Sequence, residues 1–229
     1  MVRSWWTAFV AVVLACLTTS SASAQFPGRA FRIPIAVQNI MLLRNDAVQK
    51  ELKLSDEQTK SVGALAMKMQ TDAMEIMSGL QDLSEAERKQ EMPNVMKMIQ
   101  EKGQELQGKV DKLLDAKQLV RVKELSIQRR DVAALEDEEV IAALKLSDEQ
   151  KQKLTAIRDE MAGKQEEIVK EARAGGGGDR QAIRGKIEAM QKATGQKALE
   201  VLTAEQKTAF EKLKGAKFDF PPQRGHGGL

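Results

Sequence analysis

The chain has 229 residues, a formal net charge of +3, 30% charged residues and only 3% aromatic residues, with no tyrosine. Charges of both signs are interspersed along the chain, whereas a nucleic-acid-binding protein typically carries a clustered basic patch, so we predict no nucleic-acid partner. Helix-forming residues outnumber the aromatic and β-branched residues typical of strands; the helix formers are Ala, Leu, Met, Lys, Glu and Gln. This composition predicts an all-α fold.

Residues 1–24 have the features of a secretory signal peptide. A basic residue at Arg3 precedes an apolar run over residues 5–17, and the small residues Ala22-Ser23-Ala24 follow. We predict cleavage after Ala24, a linker over residues 25–35, and a periplasmic or secreted mature protein.

The same segment allows an alternative interpretation as a lipoprotein signal. Val13-Leu14-Ala15-Cys16 has the pattern in which the cysteine becomes lipidated. We predict membrane attachment only if Cys16 is lipidated, because no later apolar run approaches the ~20 residues of a transmembrane helix. Cleavage after Ala24 removes this cysteine, the only one in the chain, and leaves no disulfide or thiolate metal site.

An internal duplication organises the rest of the chain. The sequence LKLSDEQ occurs at Leu52–Gln58 and again at Leu144–Gln150, 92 residues later. The ends of the two copies also correspond, with residues 113–118 matching residues 201–206 at an offset of 88. We predict a tandem pair of antiparallel helical-hairpin or bundle units with long amphipathic helices, over residues 36–134 and 135–216.

The predicted helices follow from the apolar periodicity and the turn residues. Pro93 is expected to start or kink a helical segment. The glycines at 175–178 predict a loop, and residues 217–229, rich in glycine and proline, predict a disordered tail. Helices are predicted near residues 36–50, 56–81, 85–112, 116–134, 137–144, 148–173, 179–200 and 204–215.

The repeated motif has the spacing of a capping box, Ser/Thr-x-x-Gln/Glu. In this motif the hydroxyl accepts a hydrogen bond from the third helical amide, and the Gln or Glu side chain accepts one from the capping residue. The motif therefore predicts helix starts rather than a binding site. The pairs with this spacing are Ser55 with Gln58, Ser84 with Glu87, Ser147 with Gln150, and Thr203 with Gln206.

The sequences LKLSDEQKQKL at 144–154 and VLTAEQKTAF at 201–210 resemble the paired Leu-Thr-x-x-Gln signatures of the Spy and CpxP family of periplasmic proteins. The resemblance implies a small all-α protein, generally dimeric and cradle-shaped, that acts as an ATP-independent chaperone or as an accessory regulator of an envelope-stress sensor kinase. The chain departs from the family by carrying the unit twice and by having Asp115 in place of Thr. A homodimer and an intramolecular pair both stay open.

Side chains for enzymatic chemistry are scarce. His226, the only histidine, lies in the glycine-rich tail, and neither a zinc site nor a hydrolase triad can be built without a positioned histidine. The glycines at 175–178 lack the following Lys-Ser/Thr of a phosphate-binding loop. We predict a protein that is not an enzyme and that binds no cofactor.

Methionine is the one unusual feature. Seven of the eleven methionines lie between Met67 and Met98. Helical geometry places Met69 on an apolar stripe with Val62, and turns Met67 and Met74 roughly 120° to 140° away from it. The second copy has Asp159 and Glu166 at the positions of Met67 and Met74, so these two methionines are not required for the core. The candidate partner-binding residues are Met67, Met74, Met77, Met92 and Met96.

We predict an exported helical protein that binds unfolded or partly folded envelope proteins, or a sensor domain, without nucleotide. Two alternatives stay open. The first is a metal-responsive or metal-buffering accessory protein that uses methionine sulfur and carboxylates. The second is a structural envelope protein that associates with itself.

Overall fold

The computed structural model describes residues 34–174 and 180–221. These residues are all-helical and contain no strand, which confirms the predicted fold class. The predicted signal peptide, Cys16, the four-glycine loop and His226 lie outside them. The helices are α1 (Ile35–Leu43), α2 (Asp46–Glu51), α3 (Asp56–Gln81), α4 (Glu85–Leu113), α5 (Ala116–Arg130), a 3₁₀ helix (Asp131–Glu136), α6 (Glu138–Leu144), α7 (Asp148–Ala174), α8 (Arg180–Glu200) and α9 (Ala204–Leu213).

Two predicted helices are divided, each for a local reason. The helix predicted over 36–50 is two helices, because the Asn45 side chain accepts a hydrogen bond from the Ala47 amide at 2.9 Å and starts α2. The α-helix predicted over 116–134 ends at Arg130. Asp131 has φ of +46°, a left-handed conformation that interrupts a right-handed helix, and the 3₁₀ helix follows. Pro93 lies inside α4, which continues through it.

The chain forms two compact units, with the boundary between Val122 and Lys123 inside α5. The duplication explains this position, which precedes the predicted boundary between 134 and 135. The offset of 88 maps α9 onto residues 116–125, and the offset of 92 maps α1 onto residues 127–135. The single helix α5 therefore joins the last helix of the first copy to the first helix of the second.

In unit one, the long helices α3 and α4 pack against each other and against α1. Met69, Val62 and Ala66 form the buried face of α3. Close packing of the chain before α1 depends on Gly103 in α4, because a Cβ there would lie 2.7 Å from the Cβ of Pro34. The fully buried core residues of unit one are Ile40, Leu43, Val48, Val62, Val110 and Val122.

In unit two, α7 and α8 pack against each other and against the 3₁₀ helix, and α6 contacts α9. Phe210 is fully buried among Leu135, Val140, Leu144 and Leu202. A left-handed glycine follows the end of α9. Gly215 has φ of +64°, a conformation in which L side chains are strained.

The segment after α9 is attached to α5. The Gln128 side chain donates to the carbonyl of Ala216 at 2.7 Å and accepts from the amide of Phe218 at 2.9 Å. The first residues of the predicted tail thus make specific hydrogen bonds, and residues 222–229 lie outside the described chain. No helix in the described ranges is long and apolar enough to cross a membrane.

Candidate functional site

The four predicted capping boxes are present. At the start of α3, the Ser55 hydroxyl accepts from the Gln58 amide at 3.1 Å and the Gln58 side chain accepts from the Ser55 amide at 3.0 Å. Ser84 with Glu87, Ser147 with Gln150, and Thr203 with Gln206 make the same two bonds at α4, α7 and α9. Each box satisfies two amides that would otherwise lack partners at a helix start.

A further box begins α5, where Asp115 stands in place of threonine. The Asp115 carboxylate accepts from the Gln118 amide at 2.8 Å, and the Gln118 side chain accepts from the Asp115 amide at 3.0 Å. Aspartate is a strong N-cap residue. The departure from the Leu-Thr-x-x-Gln pattern therefore preserves the helix start.

The glutamines of two boxes in unit one also bind each other. Nε2 of Gln58 donates to Oε1 of Gln118 at 2.7 Å, and Nε2 of Gln118 donates to Oε1 of Gln58 at 3.1 Å. The second hydrogen of each amide is donated to a backbone carbonyl that lies just before the partner's capping box. Gln58 donates to the Leu113 carbonyl at 3.0 Å and Gln118 to the Leu52 carbonyl at 3.2 Å. We call this reciprocal arrangement a glutamine clasp.

Unit two contains the equivalent clasp. Gln150 and Gln206 exchange hydrogen bonds of 2.7 and 3.1 Å. Gln150 donates to the Val201 carbonyl at 2.8 Å, and Gln206 donates to the Leu144 carbonyl at 3.2 Å. In both units, the two hydrogen-bond donors and two acceptor positions of each glutamine amide are therefore used.

The sequence predicted the boxes but not the clasps. Capping is a local property of four consecutive residues, whereas the clasp joins side chains 60 and 56 residues apart. A signal was nevertheless present in the sequence, because Glu87 is the one glutamate among the glutamines of these boxes. In the structure, Glu87 is exposed and has no glutamine partner. Only an amide can both cap its own helix and donate to a second one.

The methionines differ in exposure as helical geometry predicts. Met69 is 5% exposed, whereas Met67 is 72% and Met74 is 50% exposed. Met67 and Met74 lie seven residues apart, about 20° from each other around α3, and share one face. This face lies outside the core of unit one.

The remaining candidate methionines are less exposed. Met77 and Met92 are half-buried. Met96 is 36% exposed, and its neighbour Met98, which was not among the candidate residues, is 39% exposed. Met67 and Met74 are therefore the candidates that offer most apolar surface.

All six large hydrophobic residues that are exposed in the described chain belong to unit one. They are Ile35, Met67, Met74, Met96, Met98 and Val120. We call Met67 and Met74, which share one face of α3, the methionine surface.

The second copy places charge at the matching positions of α7. Asp159 and Glu166 are exposed, like Met67 and Met74. Asp159 pairs with Arg158 at 2.9 Å, and Glu166 pairs with Lys170 at 2.9 Å. The two copies therefore share exposure at these positions and differ in chemistry.

Ion pairs connect the long helices within each unit. In unit one, Asp72 accepts from Lys68 and Lys102 at 2.9 Å each. Burial raises the pKa of Asp72, but the hydrogen bonds from the two lysines outweigh it and leave the pKa below its ordinary value. In unit two, hydrogen bonds from Lys164 and Lys197 lower the pKa of Glu160 to about 2. These carboxylates are consequently ionised near neutral pH.

The described residues contain no group of three or more His, Cys, Asp or Glu side chains that could hold a metal ion. A cavity of about 210 Å³ lies between α7 and α8, lined in part by Met161, Met190 and Glu160. Glu160 already accepts from Lys197 there at 2.9 Å. The two lysines that line this cavity, Lys164 and Lys197, both pair with Glu160.

Comparisons with protein-family models, with curated proteins and with solved structures found no match to this chain. The resemblance to the Spy and CpxP family therefore stays a prediction based on the motifs.

Proposed function

We propose that this chain is an exported, non-enzymatic binding protein of the cell envelope, which holds partly unfolded proteins or a sensor domain without nucleotide. The methionine surface of unit one is the proposed contact. The activity is that implied by the Spy and CpxP resemblance, with the family's unit present as a tandem pair of antiparallel helical hairpins.

One observation carries this proposal. The exposed large hydrophobic residues of the described chain are confined to unit one, and two of their counterparts in unit two are the charged residues Asp159 and Glu166. A shared fold cannot require methionine at positions where its second copy carries charge. Two exposed apolar side chains that share one helix face and that the fold does not require favour an interaction surface.

The chemistry of methionine favours a partner of variable shape. Its unbranched side chain has several rotatable bonds and a polarizable sulfur, and it adapts to irregular apolar surfaces. The clasp of unit one fixes the starts of α3 and α5, while the methionine surface lies further along α3. This arrangement supports an adaptable surface on a rigid helical base.

The test is a measurement of aggregation suppression without ATP, using residues 25–229 and an unrelated denatured protein diluted into buffer. The variant Met67→Asp/Met74→Glu carries the residues that unit two already has. We expect it to keep its helicity, to lose no more than about 1 kcal/mol of stability, and to protect the client much less, since charged groups must be desolvated on binding.

Two comparisons make this test specific. Met69→Asp, in the core, should unfold unit one and marks the behaviour of a structural defect. Asp159→Met/Glu166→Met should leave the fold intact and add protection, because it creates the equivalent face on unit two. A folded double variant of Met67 and Met74 that protects as well as the wild type would refute the proposal.

Self-association through the methionine surface is the rival that the same observation supports. Sedimentation equilibrium separates the two, since self-association predicts a dimer of the wild type and a monomer of Met67→Asp/Met74→Glu. Titration with Cu(I) tests the metal-buffering alternative, because thioether sulfur is a soft ligand.

A further inference from the structure

We propose that Met67 and Met74 are sites of reversible oxidation, at which a peroxide or hypohalous acid converts the thioethers to sulfoxides and lowers the affinity for clients. The first part of this inference, the selectivity of oxidation, depends only on the structure. The second part, the loss of binding, rests on the proposed function.

Exposure predicts which methionines react. Oxidation of a thioether requires the oxidant to reach the sulfur, so solvent-exposed methionines react before buried ones. Met67 is 72% exposed and Met74 is 50% exposed, whereas Met69, on the same helix, is 5% exposed. The most reactive methionines of α3 are therefore the two that form the methionine surface.

The chemistry is a two-electron oxygen transfer. A lone pair of the sulfur attacks one oxygen of hydrogen peroxide, the S–O bond forms and the O–O bond breaks. The sulfur is oxidised to the sulfoxide and the peroxide is reduced to water. The product is a polar, chiral side chain, and methionine sulfoxide reductases return it to methionine at the expense of a thiol reductant.

The position of these residues separates binding from stability. A sulfoxide in the core disrupts packing, but Met67 and Met74 lie outside the core of unit one, and unit two tolerates full charges at the same positions. Oxidation there leaves the helices intact. It places a polar S–O group on the methionine surface, and burying that group against a client carries a desolvation cost.

The order of oxidation can be read by peptide mass mapping of residues 25–229 after limited treatment with hydrogen peroxide. Trypsin cleaves after Lys68 and so places Met67 and Met69 on different peptides. Fragmentation of the second peptide distinguishes Met69 from Met74. We expect Met67 and Met74 to be oxidised roughly tenfold faster than Met69. Equal rates for Met67 and Met69 in the folded protein would overturn the assignment.

The effect on binding is measured with the same oxidised protein and a denatured client. We expect protection to fall about fivefold or more while the circular dichroism spectrum stays unchanged. The variant Met67→Leu/Met74→Leu keeps apolar side chains that cannot form sulfoxides, so its protection should fall less than about twofold. Met161→Leu/Met190→Leu, two half-buried methionines of unit two, is the matched control and should stay as sensitive as the wild type.

The outcomes distinguish the two proposals. If the untreated protein protects no client, the proposed function fails, and peptide mapping still decides the oxidation sites. If the untreated protein protects and oxidation at Met67 and Met74 leaves protection unchanged, the switch is wrong while the binding function stands. Full sensitivity of Met67→Leu/Met74→Leu would likewise overturn the switch.

Discussion

The substitution Gln118→Ala tests the glutamine clasp of unit one. The Gln118 amide donates to Gln58 and to the Leu52 carbonyl, and accepts from Gln58 and from the Asp115 amide, so the substitution removes four hydrogen bonds. Gln118 is only 8% exposed, and water therefore replaces these bonds incompletely.

The expected magnitude follows from that count. A net hydrogen bond contributes about 0.5 to 1.5 kcal/mol, and lower values apply where a partner can regain water. Gln58 keeps its bonds to Ser55 and to the Leu113 carbonyl, which limits the loss. We expect the free energy of unfolding of unit one to fall by about 2 to 4 kcal/mol.

Urea unfolding of residues 25–229, followed by far-ultraviolet circular dichroism, measures this loss. Glu87→Ala is the matched control, because Glu87 belongs to the same kind of capping box without a partner across the helices. If Gln118→Ala is no more destabilising than Glu87→Ala, the clasp adds no stability beyond local capping. A double-mutant cycle of Gln58→Ala and Gln118→Ala should show a coupling energy, since the two amides bind each other.

Three further predictions concern single residues elsewhere in the chain. Gly103→Ala should destabilise unit one in thermal unfolding, because the new Cβ would lie 2.7 Å from the Cβ of Pro34. Gly108→Ala in the same helix has open space at its Cβ and should stabilise unit one by about 0.5 to 1 kcal/mol. Lys145→Gly should raise the free energy of unfolding of unit two by about 0.5 to 1 kcal/mol, because Lys145 has φ of +50° at the end of α6. No change in stability would contradict this prediction. Hydrogen bonds from Lys164 and Lys197 lower the pKa of Glu160 from 4.5 to about 2. The contribution of Glu160 to stability is therefore present above pH 4.5 and is lost as the pH falls towards 2. In an NMR titration, Lys197→Ala should raise the pKa of Glu160 towards its ordinary value.

Local interactions let the sequence predict much of the helical structure. The capping boxes set the starts of α3, α4, α7 and α9, because a box depends on residues that are close in the chain. Helical periodicity likewise separated Met69 from Met67, since the angle between two side chains on one helix is fixed by their spacing. The breaks after Leu43 and Arg130 were missed, because each depends on a single cap or a single left-handed residue.

Sequence alone predicts four features of this protein. They are the all-α class, the duplication, the helix starts and the exposed position of Met67 and Met74. Packing of distant segments accounts for the rest. The junction of the two copies inside α5 and the pairing of Gln58 with Gln118 depend on side chains and segments that are far apart in sequence. Each glutamine caps its own helix whether or not it has a partner, so the motif carries the information for a helix start, and only packing of the long helices brings two such amides within hydrogen-bond distance.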